Sequence, residues 1–532
     1  MEKIDNLRNK LAKMSNEELI NYAISQEIAK DNYLEQLTAI RTKQFQKTSE
    51  KIDPNQGSLF NEAEFVYENT TEEEKTEVAI QSKPKKKSKK KKETDFSNLE
   101  TKTIHHVLEN KVCPECGGTV KEIGTKTIEV LKYRKAEYFI EKHIIHEYAC
   151  NSCGKETVPE DAPARLIDGS KVSSSVVAGI AANKYMMDVP LYRQEKDLHR
   201  QGILITRANM SNWLIRSCED YLQFLFDKMH KDFQKLEIIH ADESTHVCIE
   251  DKKESREKSY EWLLVSGMYE QKQMALYFYS QSREYDTLND LLMVNKSRFI
   301  HSDGYGVYHD DSYGIDVGCM AHVRRKIYEA ATTSPLFSKY NKTKDKEEKR
   351  VILESSPSFA NQIQLLGYIQ KLFDIDEKVK KAKMEDKLKL KNEESLPVFN
   401  VLYEKIEALL MDYTEKSKMG IALRYAINQK KYLKNYYLDG RLELSNNRAE
   451  RSVKSFVMAR RNFLFSSTAR GARSSSVYLS LIESAKMNGL DPAKYLEYVL
   501  DRLSKDGLKD EVIEELLPYS AKIPNDIKAK KS

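Results

Sequence analysis

Apolar residues recur at helical spacing early in the chain, lose all period, then alternate in short runs and finally return to helical spacing. Ile4, Leu7, Leu11 and Met14 mark a first stripe, and Ile24, Ile28, Leu34, Leu37 and Ile40 roughly continue it. Residues 1–48 therefore read as a helical or coiled-coil arm. Ser15 followed by Glu18 has capping-box spacing, which divides the arm into two helices. Such a stripe suits pairing with another helix, in a second copy or folded back on the same chain. Residues 49–100 show no period: TSEKIDPNQGSLF is turn-rich, TTEEEKTE acidic and KPKKKSKKKKE nearly all lysine. That composition cannot bury a core and predicts a charged flexible linker.

Within 101–165, KTIEVLKYRKAEYFIEKHIIHEYAC is rich in β-branched and aromatic residues, as strands require. Residues 170–220 read as three helices, KVSSSVVAGIAANKY, PLYRQEKDLHRQG and ITRANMSNWLIRSCEDY, the second opened by Pro190 and ended by Gly202. Over 232–331 short apolar runs take over. LEIIHADE, EWLLVSGMYE and QMALYFYS read as strands, DTLNDLLM as a helix and SRFIHSDG as a fourth strand. GIDVGCMAH is a fifth strand, followed by the helix HVRRKIYEAA. Residues 332–440 form a mostly helical insertion. In 441–490, RLELSNNRAERSVKSFVM reads as a loop entering an amphipathic helix with Ala449, Val453, Phe456 and Val457 on its apolar face. A helical tail, 491–532, closes the chain. Three strands, a helix, a strand and a strand–helix unit match the ribonuclease-H-like order. The expected fold is thus multidomain α+β: a helical arm, a zinc ribbon, a helix-turn-helix and a ribonuclease-H-like α/β core with a large helical insertion.

The chain has 532 residues, 40% hydrophobic and 32% charged, too many for one ordinary core. No apolar run approaches the roughly 18–20 residues that span a bilayer, so no membrane partner is expected. The polar start MEKIDNLRNKLAKMSNEEL lacks the apolar core of a secretory signal, so a cytoplasmic location is expected. The net charge of +5 is modest, but bases cluster at 83–92, 448–461 and the C-terminus, which favours an anionic partner.

Four of the seven cysteines form the pairs Cys113–Cys116 and Cys150–Cys153, each in a CxxC turn with glycine following. Two such turns complete a four-sulfur site for one structural Zn2+. A short helix, a Gly turn and a third helix opening with Thr206, Arg207, Asn209, Ser211 and Asn212 resemble a helix-turn-helix. These are residue types that reach base edges and phosphates. A plain three-helix packing unit is the bland alternative.

Candidate chemistry lies in three acidic residues far apart in the chain. Asp242 and Asp303 each close a strand-like run, and Glu450 stands one turn into the amphipathic helix. Carboxylates converging at strand ends can hold two Mg2+ or Mn2+ ions, which activate a hydroxyl and stabilise the leaving oxygen of a phosphodiester. Each acid alone is weak, because a strand-end Asp often caps a turn and Asn447 with Glu450 has capping spacing. Glu243, Asp310, Asp311 and Glu443 are rivals in sequence. His322, Arg324 and Arg325 follow the fifth strand and could touch DNA phosphate or brace the site, while Arg451, Lys454, Arg460 and Arg461 could line a DNA channel. Trp213 and Trp262 read most simply as core residues.

The chain resembles a DDE transposase of the insertion sequence sixty-six family over nearly its whole length. The resemblance rests on TSEKIDPNQGSLF, the CPEC and CNSC knuckles, KYMMDVPLYRQE, HADEST, HSDGYGVY, CMAHVRRK, LSNNRAERSVK, ARRNFLFSSTARGA and SLIESAKMNGLDPAKYL, in that order. It implies Asp242, Asp303 and Glu450 as the metal-binding triad, recognition of terminal inverted repeats, and strand transfer by a 3′-hydroxyl onto target DNA. Some members carry Asp where Ser445 stands. Members' elements often encode two smaller accessory proteins, and two DNA ends held together imply a homodimer or larger on DNA. A DNA-binding protein without catalysis, and a metal-dependent nuclease of the same fold, are the alternative readings.

Overall fold

The computed structural model describes residues 165–529 except 254–257, together with 138–144, parts of 11–33, and the strand residues 148–149 and 156–157. The chain divides into two compact units, 46–144 and the remainder; the second is described below. The expected linker and the four zinc-site cysteines lie outside the described residues. At the arm, Ser15 N–H donates to Glu18 Oε2 at 2.7 Å and Glu18 N–H donates to Ser15 Oγ at 3.3 Å, so the expected capping box forms. Strands β1 (Tyr148–Ala149) and β2 (Glu156–Thr157) pair antiparallel on either side of the second cysteine knuckle.

Helices α1 (Ser174–Tyr185), α2 (Leu191–Arg200) and α3 (Arg207–Ser217) fall where the periodicity places them. Pro190 precedes α2, and Gly202, with φ +79°, turns the chain after it. Helix α3 runs on through one π-helical turn into α4 (Gln223–Phe233).

A five-stranded mixed sheet follows: β3 (Ile238–His246), β4 (Ser259–Ser266), β5 (Ala275–Ser280), β6 (Phe299–His301) and β7 (Ile315–Val317). Helix α5 (Tyr285–Leu291) connects β5 to β6. Their spatial order is β5-β4-β3-β6-β7, with the first three antiparallel and β3, β6 and β7 parallel. Several boundaries differ from the sequence reading; β6 ends at His301, so Asp303 lies in the turn beyond it, and β4 ends at Ser266. The first strand does not stop at Asp242 but pairs with β4 as far as His246, because the polar HADEST run alternates faces in a ladder whose partner supplies the apolar side chains. GIDVGCMAH is a strand only to Val317, and helix α6 (Met320–Thr332) begins inside it.

The insertion's main helices are α7 (Pro357–Lys381), α8 (Leu396–Leu409) and α9 (Lys418–Lys434). With α6 they form a second hydrophobic core, which includes Ile238 and Val317 from the sheet. Helix α10 (Asn447–Phe463) then packs on β3 and β4 through Ala449, Phe456 and Ala459. Val453 packs at the margin of that core.

Helix α11 (Ala469–Met487) closes the open edge of β5. Ser480 Oγ accepts the Tyr277 N–H at 2.8 Å, and Ser484 Oγ accepts the Ala275 N–H at 3.0 Å. Serines one turn apart on the helix thus satisfy alternate strand donors in place of a sixth strand. Helices α12 (Pro492–Asp506) and α13 (Asp510–Leu516) form the tail, α12 packing on α1. No helix among the described residues is long and apolar enough to cross a membrane.

Candidate active site at the central strands

Parallel register brings the two aspartates together. His240 on β3 lies opposite His301, the last residue of β6; two residues further along stand Asp242, still on β3, and Asp303, in the turn after β6. Adjacent strands lie about 4.8 Å apart, so the two carboxyls share one edge of the sheet. The turn at Asp303 is tight. Its Oδ1 accepts the Tyr305 N–H at 3.0 Å, its backbone carbonyl accepts Tyr425 OH at 2.8 Å, and Gly304 has φ +88°. That positive φ is what calls for glycine; a Cβ there would also press on the end of the Gln429 side chain, which can shift aside.

Asn446 sets the third acid in place. Its Nδ2 donates to the Ala241 carbonyl at 2.8 Å, and its Oδ1 accepts from His240 Nδ1 at 2.9 Å. This side chain pins the entry of α10 to β3 one residue before Asp242, and Glu450 follows one turn later. The capping-pair alternative for Asn447 and Glu450 does not form: Asn446 is the N-cap residue, and the Glu450 carboxylate faces Arg325 and His322. Arg448 holds the same end of the helix by donating from Nε to the Ser266 carbonyl at 2.6 Å.

Asp242 is partly open to solvent yet deep among protein atoms. Burial pushes its carboxyl well above the usual carboxylate range, and the charges of Glu243, Asp303 and Glu450 push it further. Glu450 Oε1 is buried without a hydrogen-bond partner, as is His322 Nδ1. Asp242 thus lies among like charges that disfavour its ionised form, and Glu450 keeps one buried oxygen without a hydrogen-bond partner. Hard carboxylate oxygens in that state fit a divalent cation, so the residues present suit the ions the sequence implies.

The rivals are spent elsewhere. Glu243 follows Asp242 on β3 and so points to the opposite face, where Arg283 Nε donates to it at 3.0 Å and Tyr308 OH at 2.7 Å. It remains within electrostatic reach of Asp303. Glu443 accepts from His240 Nε2 at 2.8 Å. Asp310 caps its own turn through the Ser312 N–H at 2.7 Å, and Asp311 is exposed. Cys319 is the neighbour the sequence reading did not connect with the site. Its Sγ lies with a His322 nitrogen and a Glu450 oxygen in a group whose ligand atoms are all within 4.8 Å. Burial pushes the Cys319 thiol up to about 12, so it stays protonated. The spacing CxxH on a helix would have signalled this, had the helix start been placed correctly.

The cationic candidates divide as well. His322, with burial lowering its pKa against the pull of Glu450, and Arg325 both sit at Glu450. Arg324 is half-buried. Arg460 Nη1 reaches the Thr245 hydroxyl at 2.5 Å and bonds its carbonyl too, tying the far end of α10 to β3. Arg451, Lys454 and Arg461 are exposed on the same helix. In α3, Thr206 and Asn209 cap each other's backbone N–H groups, so their side chains are engaged in starting the helix. Arg207 and Asn212 are exposed and Ser211 half-buried. Trp262 is fully buried and Trp213 packs against the same core, as expected.

Sheet and site describe an α+β protein whose central strands and one late helix bring Asp303 and Glu450 within electrostatic reach of Asp242. The chain belongs to the transposase IS66 family, whose model matches residues 169–474. The IS66 C-terminal element matches 480–519, and the zinc-finger binding domain of transposase IS66 matches 110–154, spanning the CPEC and CNSC knuckles. Relatives include two uncharacterized proteins of Sinorhizobium fredii (strain NBRC 101917 / NGR234). The protein y4jD is 25% identical over 427 residues, covering 78% of this chain and 79% of its own. The protein y4qI is 26% identical over 437 residues, covering 79% and 76% respectively.

Proposed function

We propose that this protein is a DDE transposase that binds the ends of its element and catalyses metal-dependent cleavage and strand transfer. The observation that carries the reading is the convergence of Asp242, Asp303 and Glu450, from a strand, a strand-end turn and a helix far apart in the chain. The sheet order β5-β4-β3-β6-β7 with its antiparallel half supports a ribonuclease-H-like core interrupted by the helical insertion. In this reading Asp242, Asp303 and Glu450 hold two Mg2+ or Mn2+ ions. Such ions, when bound, activate the attacking hydroxyl and stabilise the leaving oxygen of the phosphodiester. The chain's own part is to fix the three carboxylates: β3 and β6 by register, Glu450 by the Asn446 anchor. Exposed Arg451, Lys454 and Arg461 face the DNA backbone, positioning it without reading sequence. Residues 170–220 act as a helix-turn-helix, with Arg207, Ser211 and Asn212 available to DNA. The zinc ribbon at 101–165, a dimer or larger on paired ends, and element-encoded accessory proteins complete the proposed assembly.

The test is cleavage of a labelled DNA carrying the element's end, with MgCl2 or MnCl2, comparing wild type with Glu450→Gln. Loss of at least about a hundredfold in rate, roughly 2.7 kcal/mol of barrier, is expected. Equal cutting by both proteins would show that Glu450 is the wrong acid. Binding without metal-dependent cutting by wild type would favour the non-catalytic DNA-binding reading. Cutting with no joined product would favour a nuclease.

A further inference from the structure

The run from Cys319 to Arg325 is accounted for neither by the sheet nor by the acidic trio. Cys319 is the residue just before α6, and His322 and Arg325 follow at intervals of three, which places all three on one side of the helix start. All three meet the beginning of α10. Cys319 Sγ accepts the Asn446 N–H at 3.1 Å. Arg325 donates from Nη2 to Glu450 Oε2 at 3.2 Å and from Nη1 to His322 Nε2 at 3.2 Å. A guanidinium has only donors, so Nε2 must accept, and a neutral imidazole then carries its proton on Nδ1. That Nδ1 lies 3.6 Å from Glu450 Oε1. Glu450 Oε2 therefore accepts from Arg325, while Oε1 faces His322 Nδ1 just beyond hydrogen-bond distance, and Arg325 links the two residues to each other.

We infer that His322 and Arg325 are positioning residues that bracket the Glu450 carboxylate, rather than contacts to DNA phosphate. The inference rests on the metal-site reading of Glu450 given above. A glutamate on an open helix face samples several rotamers, and a donor bonded to one oxygen with a second facing the other selects one of them. With Nδ1 protonated, His322 cannot itself be a metal ligand while Arg325 holds it. Its contribution is orientation. Cys319, through Asn446, fixes the distance between the two helices that carry the bracket and its load.

The full-length protein allows three readouts. In metal-free urea denaturation, Arg325→Met and Glu450→Gln should be less than additive, the double variant being no less stable than the weaker single one. The MnCl2 concentration at half-maximal thermal shift should rise about 10–100-fold in Arg325→Met and His322→Ala, the range for partners that orient a metal ligand. His322→Asn, whose amide N–H takes the place of Nδ1–H, should recover most of that loss. Affinity for element-end DNA in EDTA, and its salt dependence, should not change. Strict additivity in the denaturation cycle overturns the bracket. An unchanged Mn2+ response with weaker DNA binding and a salt slope reduced by about one overturns it in favour of a phosphate contact. Coupling without any Mn2+ response in wild type keeps the bracket and overturns the metal-site reading.

Discussion

Asp242, Glu243, Glu443 and Glu450 are four acids around one strand, and each meets a different environment. Asp242 faces other carboxylates, Glu243 faces Arg283 and Tyr308, Glu443 faces His240, and Glu450 faces Arg325. His240 lies between Asn446 and Glu443, with one ring nitrogen within hydrogen-bond distance of each. Burial alone would raise the Glu443 pKa, but the charge and hydrogen bond of His240 outweigh it and hold the carboxyl at about 2. Its folded value lies below the unfolded one, so its stabilisation is complete above the ordinary carboxylate range and disappears as pH falls from about 4.5 toward 2. Glu443→Gln should therefore cost roughly 3 kcal/mol at pH 7 and progressively less below pH 4. Urea unfolding at pH 7, 5 and 3 measures this, and a pH-independent cost would refute the pairing. In the sequence the four acids look alike. Alternation along β3 separates Asp242 from Glu243, but no local pattern reveals that Glu443 meets His240 or that Glu450 meets Arg325.

At the scale of elements, hydrophobic period located the strands of the sheet, the first three helices and the Glu450 helix, but it left α4 and α11 unplaced and failed where polar residues are buried. The serines of α11 are an instance. Ser474, Ser476, Ser480 and Ser484 are all buried, yet a hydropathy pattern counts them as exposed. Their role appears only when β5 is known to be an edge strand needing acceptors. Ser480→Ala and Ser484→Ala should each cost about 1–3 kcal/mol, the penalty for an unsatisfied buried N–H. Because they also uncover a strand edge, the double variant should self-associate in sedimentation velocity. A double variant with wild-type stability and a single sedimenting species would refute the capping role. The start of α6 failed for a related reason: GCMAH is as apolar as a strand, so the change of period at Met320 was not visible.

For the whole molecule, the helical insertion is not an ornament on the sheet. It shares a core with Ile238 and Val317, and Tyr425 on α9 holds the Asp303 turn through its backbone carbonyl. The zinc-finger match predicts one equivalent of zinc per chain, measurable by elemental analysis. Cys113→Ser or Cys150→Ser should lose that zinc and weaken element-end binding, while the melting of the sheet-bearing unit changes little. Zinc retained in both variants would refute the four-cysteine site.

What the sequence determined alone was identity and order: which segments are strands or helices, which cysteines are paired in CxxC turns, and which three acids are candidates. These properties follow from local periodicity and from spacing along the chain. The tertiary structure decided partnership. Which face Asp242 takes, that Asn446 spans from α10 to β3, and that Arg325 and His322 meet Glu450 depend on strand register and helix docking. Both are set by burial across hundreds of residues, and no window of sequence contains that sum.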